Sequence, residues 1–325
     1  MTQRRTFLAA LTVLTCTVGT YSQAQTNLPK GPITLVVPFA AGGATDIVSR
    51  LVAKKVTEKS GVPIVVENVA GGGGVVGAQR VARAVKDGTV LLMGTVSTHA
   101  INPIARGYST YHPLKDFTPI SLVATVSNVI VVNPSVPAQN VKELIALIKS
   151  QPGKLSYGTS GVGTPPHLSG ELFKSMASLD IEHVPYKGGG PAMTDLISGN
   201  IPVLFDVLTG AASHIKGGRA RAIAVTTPQR SPSFPDVPTV AESGLKGYET
   251  YTWNAIFGPA GMPAPVASAL AKEFQRAAAE ADVQEKFKEL SAIPVGSTPE
   301  ALTAFVKSEL DKWGPVIKAI DLKLE

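Results

Sequence analysis

The chain has 325 residues, 44% of them apolar and 17% charged, enough for one large or two ordinary domains with a real core. That composition excludes disorder. The formal charge of +6 is scattered without a basic block, and only 6% of residues are aromatic, which argues against a nucleic-acid surface.

The first 24 residues read as an export signal. Arg4 and Arg5 precede the apolar run TFLAALTVLTCTV, and SQA at 22–24 supplies small residues for cleavage after Ala24. Arg4-Arg5-Thr6-Phe7-Leu8 also matches a twin-arginine pattern in part. Cys16, the only cysteine, lies inside this run. The mature chain is therefore expected to carry no thiol, disulfide or thiolate metal site. It is expected to be soluble and periplasmic, with a charge of +4 once Arg4 and Arg5 leave.

Past residue 30, strand and helix patterns alternate. ITLVV (33–37) has the apolar continuity of a buried parallel strand, and the helix after it places Ile47, Val48, Leu51, Val52 and Val56 on one face. VPIVVEN (62–68) and VLLMGT (90–95) repeat the strand, with a helix at 77–88 between them. Three βα units predict a parallel sheet covered on both faces. The extended stretch at 118–133 is too long for an average strand and is expected to cross between two bodies.

A helix at 140–153 follows, ended by Pro152-Gly153. Then come strand LSYG, helix HLSGELFKSMA, strand IEHVPY, helix PAMTDLISG and strands IPVLFDV and RAIAVTT. Extended sequence resumes at 248–263, and helices are expected at 265–281, 283–291 and 299–319. The last has a capping signal in Ser297, Thr298, Pro299 and Glu300.

Four glycine-rich turns each follow a strand and precede a helix: 39–46, 69–78, 157–167 and 186–192. In an open α/β sheet such turns gather at the carboxyl ends of the strands, where ligands bind. Gly72, Gly74 and Gly77 match the dinucleotide spacing, but the next strand ends without the required acid, and no P-loop occurs. No G-x-S-x-G elbow or H-E-x-x-H is present. Ser160 with His167 is the one conceivable hydrolase pair. His99 and His167 follow strands and are placed to face a cleft; His112, His183 and His214 read as surface or structural.

Asp46 opens a helix, where capping and ligand roles are both open. Asp206 ends an apolar strand, where a carboxylate needs a partner. Lys187 is the one cation in a glycine turn. Neutral donors around a cleft, with no catalytic residues, metal or cofactor motif, suit a protein that holds a small anion and releases it unchanged.

The blocks ITLVVPFAAGGATDIVSRLVA, VVENVAGGGGVVGA, YGTSGVGTPPHLSGELF, HVPYKGGGPAMTDLISG and VPTVAESGL resemble the tripartite tricarboxylate transporter receptors, or Bug proteins, over about residues 30–320. The resemblance implies a type II periplasmic binding protein: two α/β domains joined by crossing strands, with the ligand cleft between them. The domains would be 27–123 plus 229–325, and 124–228. It implies a small carboxylate ligand (a di- or tricarboxylate, acidic amino acid or aromatic acid), no cofactor, and delivery by a monomer to integral-membrane permease subunits. A sensor subunit docking on a membrane signalling protein is the alternative.

For the site, the resemblance implies Phe39, Ala41, Gly42, Gly43 and Asp46 in the first loop, and Gly72 and Gly73 in the second. From the facing domain it implies Thr159, Ser160, Gly163, Thr164 and His167, with Asp206 near the ligand's distal end. Val69-Ala70, where the family often has proline, and the spacing after INP are departures.

Overall fold

The computed structural model describes residues 27–319 together with Leu322 and Leu324; the expected export signal lies outside them. β1 (Ile33–Val37), β2 (Ile64–Asn68) and β3 (Val90–Thr95) pair in parallel in the order β2-β1-β3. Between them run α1 (Ala44–Ser60) and α2 (Val75–Ala82). Leu35, Val36 and Val37 are all buried, as a strand covered on both faces requires. A π-helical turn at Ser97–Ile101 and the short α3 (Asn102–Ala105) follow β3.

β4 (Phe117–Val132) is one 16-residue strand, as its length predicts, and it changes partners midway. Up to Ser127 it pairs antiparallel with β9 (Tyr251–Pro259), which in turn pairs with β3. From Asn128 onward it lies between β7 (Val203–Val207) and β8 (Arg221–Val225). β5 (Ser156–Thr159) and β6 (Glu182–Pro185) extend the second sheet in the order β4-β7-β5-β6. Each sheet is therefore mixed: a parallel triplet joined to antiparallel crossing strands.

α4 (Val141–Ser150), α5 (Pro165–Ala177), α6 (Gly189–Ile197) and α7 (Leu208–Lys216) cover the second sheet. α7 is absent from the sequence reading, because Thr209, Gly210 and Ser213 dilute its helical pattern. α8 (Ala264–Ala279), α9 (Ala281–Glu289), β10 (Ala292–Pro294) and α10 (Pro299–Ala319) return to the first. The Thr298 hydroxyl accepts the Ala301 N–H at 3.2 Å, so Thr298 caps α10.

The crossing point is polar and buried. The Asn128 carbonyl accepts the Thr226 N–H and hydroxyl, both at 3.1 Å, and the Thr226 hydroxyl also reaches the Thr250 carbonyl at 2.7 Å. The Asn128 amide donates to Ser169 and Thr250 hydroxyls. Three passages of the chain are thus tied at one level. Packing departs here from the expected boundary at 228/229. Val240, Leu245 and Tyr248 fill the core around Phe173 and Phe205, and the Tyr248 hydroxyl donates to the Ser169 carbonyl at 2.7 Å.

Candidate functional site

In both sheets the strand order reverses beside the first strand of the triplet, between β1 and β3 in one and β5 and β7 in the other. Such reversals leave a crevice at the carboxyl ends of the strands. A cavity of ≈ 30 Å³ sits on both crevices at once. Phe39 and Gly43 come to it from the turn after β1, and Thr95 from the end of β3. Ser160 and Thr164 come from the turn after β5, and Asp206 from β7.

The loop 39–43 is held from behind by Asp46. Its carboxylate accepts the Gly42 N–H at 3.0 Å, Asn68 Nδ2 at 3.0 Å, and Arg50 at 2.9 and 3.0 Å. Asn68 Nδ2 also donates to the Phe39 carbonyl at 3.0 Å. Gly42 has φ +80°, a conformation glycine adopts without strain. Burial alone would raise the Asp46 carboxyl, but these donors outweigh it and hold it below the usual carboxylate range. The sign follows: this stabilisation is present above the unfolded pKa and is lost as pH falls through the folded one. Asp46 is 4% exposed and lines neither cavity; it shapes the loop. Asp46→Ala should cost about 1–3 kcal/mol for the unpaired groups it leaves. The loss in urea melts should shrink at acid pH.

Four helices open at the cavity, and of these α1 and α5 differ in what they offer. At α1 the N-cap is Gly43, with no side-chain cap, so the first N–H groups of a 17-residue helix are not taken by one. At α5 the Thr164 hydroxyl accepts the His167 N–H at 3.4 Å and donates to the Gly161 carbonyl at 2.6 Å. Pro165 and Pro166 have no N–H to give. Of these two, α1 is the one with N–H donors to offer an anion; α6 at Gly189 and α7 at Val207 also start at the cavity without a side-chain cap. Four lining hydroxyls remain: those of Thr45, Ser160 and Thr252 make no hydrogen bond among the described residues, and the buried Thr95 Oγ1 has no partner.

Other expected residues hold the lobes together rather than line the cavity. Ser97 Oγ lies between the carbonyls of Gly73 (2.7 Å) and Gly163 (2.6 Å), its one O–H shared between them, and Asn102 Nδ2 reaches the same two at 3.1 and 3.0 Å. A second glycine turn of one lobe is thus clamped to a turn of the other. Gly72, beside Gly73, lies outside both cavities as well. Ser97 and Asn102 escaped sequence reasoning; their only signal is a polar cluster directly after β3. The Ala40 N–H adds a bond to the Lys187 carbonyl at 3.1 Å, while the Lys187 side chain lines neither cavity.

Thr159 and His167 sit behind the second-lobe turn. The Thr159 hydroxyl meets His183 Nε2 at 2.7 Å, the His167 and His183 rings lie 4.4 Å apart, and His167 Nδ1 accepts the Gly163 N–H at 3.3 Å. Burial lowers both histidines, His183 to about 3. Ser160 and His167 share no hydrogen bond, so the conceivable hydrolase pair does not form. His99, expected at the cleft, is instead fully buried, stacked on Phe257 at 3.7 Å, and lowered by burial to about 3. Ala41 opens onto a second cavity of ≈ 430 Å³ that shares Asp206 with the first.

Two α/β lobes on crossing strands, with a cavity on both switch points, define a periplasmic binding protein fold. The chain belongs to the family described as tripartite tricarboxylate transporter family receptor, whose profile matches residues 48–322. Among solved structures it is similar to the periplasmic binding protein BugD, at 36% identity and a TM-score of 0.88, over 91% of this chain and 99% of that one. It is similar to Rpa4515 of R. palustris with adipate, at 35% identity and 0.87, over 90% and 98%. MatC of Rhodopseudomonas palustris with bound malate matches at 32% and 0.84, over 89% and 100%. The chain is thus a periplasmic solute-binding receptor of this family. Its relatives are binding proteins rather than enzymes.

Proposed function

We propose that the chain binds a small carboxylate between its lobes and hands it to integral-membrane permease subunits. The carrying observation is the α1 N-terminus at Gly43, which has no side-chain cap and faces a cavity lined by no cationic side chain. A helix terminus of this length holds an anion through its N–H groups and dipole. Thr95 Oγ1, 2% exposed and unpartnered, supports a guest at the same place.

In this reading one carboxylate rests on the turn at Phe39 and Gly43, with the N–H groups of Ala44 and Thr45. Ser160 closes from the other lobe, Thr164 shapes its wall, and Asp206 faces the guest's far end. Ala41, Gly42 and Asp46 fix the loop, Gly72, Gly73 and Gly163 carry the clamp, and Thr159 and His167 support the Ser160 turn. The lobes are 27–127 with 251–319, and 128–250, and they hinge where β4 changes partners. The adipate and malate in the similar structures support a diacid as the guest.

A thermal-shift panel of mono-, di- and tricarboxylic, acidic amino and aromatic acids tests this on chain from Gln25, unfolded and refolded to remove carried ligand. At 100 times its dissociation constant the right acid adds about 2.7 kcal/mol, a rise of roughly 5–10 °C. Its uncharged amide should give none. No shift across the panel would end the carboxylate reading.

A further inference from the structure

Asp206 is the one ionisable group that lines both cavities next to Gly189, and it is 2% exposed. Its setting is built around it. A β-carbon at Gly189 would stand 2.7 Å from Oδ1, and one at Gly210 would stand 3.1 Å from Oδ2, so only glycine lets α6 and α7 close on the carboxyl. Within the chain its hydrogen bond comes from the Val207 N–H.

No cation faces it. On α1, Arg50 is engaged by Asp46. On α6, Asp195 is held by Tyr186 and Asn200. On α7, His214 lines the second cavity, but burial lowers it toward neutrality, and Lys216 donates to the Glu289 carbonyl. The turn before α6 carries Lys187, whose side chain lines neither cavity. β4, its strand neighbour, places Val129 opposite.

We infer that Asp206 shares one proton with the far carboxyl of a diacid, so that the receptor takes its ligand as a mono-hydrogen species. This rests on the carboxylate reading above and names the class within it. The reason is electrostatic: Gly43 and the buried Asp206 line one cavity, so a diacid with one carboxylate on the α1 terminus brings the other to Asp206. Two like charges that close cannot both remain ionised. One O–H then donates to the facing carboxylate, a charge-assisted bond with no cation needed. Burial pushes Asp206 itself up to about 7, consistent with a group ready to hold the proton.

The proton count follows. Above pH 7 both Asp206 and the diacid are ionised in solution, so binding must take up about one proton. Affinity should therefore fall about tenfold per pH unit above 7 and stay flat between pH 6 and 7. Isothermal titration of the full mature chain with adipate and with malate, at pH 6 and pH 8.5, in two buffers of different ionisation enthalpy, reads the uptake directly. About one proton taken up at pH 8.5 and close to none at pH 6 is the expected result. Asp206→Asn, whose amide donates the same hydrogen bond, should bind with an affinity that no longer changes with pH. Wild-type binding with flat affinity and no uptake would overturn this inference alone. No binding of either acid at either pH would overturn this inference, while a shift with another acid of the panel would leave the carboxylate reading standing.

Discussion

Gly190→Ala is expected to weaken ligand binding about 10- to 100-fold while leaving the ligand-free protein as stable as wild type. Gly190 is the second residue of α6 and has no left-handed conformation to lose. A β-carbon there would stand 2.5 Å from the Ala41 carbonyl oxygen and 3.4 Å from the Gly43 nitrogen, both on the facing lobe. That overlap exists only when the lobes are shut. Overpacking against backbone costs about 1–3 kcal/mol, and the ligand must supply it each time it closes the cleft. In the open state the alanine is harmless, since alanine favours helix over glycine. Thermal melts without ligand, followed by titration with whichever acid the panel selects, separate the two states. Wild-type affinity in this variant would mean that the ligand-bound lobes do not approach as they do here.

The path from sequence to this site was open where local signals and tertiary role coincide. The β1 strand, the turn at Gly42-Gly43 and the α1 pattern can be read in one unbroken stretch of sequence from Ile33 to Ser60, and they place the α1 terminus at that turn. The length of β4 announces a strand shared by two bodies. Other features depend on partners far away in sequence. Whether Asp46 caps a loop or meets a ligand turns on Asn68 and Arg50 arriving together, which no spacing shows. Ser97 and Asn102 act by bridging Gly73 to Gly163, residues from opposite lobes. His99 looks like a cleft residue because it follows a strand. A π-helical turn carries it onto Phe257 instead. The boundary near 228 is obscured for a similar reason. The stretch PQRSPSFPDVP (228–238) is proline-rich and reads as irregular, yet Val240 and Tyr248 beyond it return to the second core.

The hinge itself has an anchor whose loss should be the largest single effect on stability. Glu309 of α10 is buried against the first residues of β9, one step past the crossing at Thr250. One oxygen accepts the Tyr251 hydroxyl at 2.7 Å; the other accepts the indole N–H of Trp253 at 2.8 Å and of Trp313 at 3.2 Å. Burial, followed by the hydrogen bond to Glu309, raises the Tyr251 hydroxyl far above its ordinary value, so it remains a donor at any working pH. Trp253 is fully buried and packs edge-on against Phe305 of the same helix at 5.5 Å. Glu309→Ala would leave the two buried indole N–H groups and the half-buried Tyr251 hydroxyl without this acceptor, beside a void where the side chain had been. A loss of about 3–5 kcal/mol follows, a fall in melting temperature of roughly 10 °C. Glu309→Gln keeps a carbonyl for part of the set and should lose about half as much. An Ala variant that melts within about 2 °C of wild type would show that α10 and β9 are held by apolar packing alone. The graded order, wild type above Gln above Ala, is what identifies the carboxylate as the tie between the last helix and the strand on which the lobes turn.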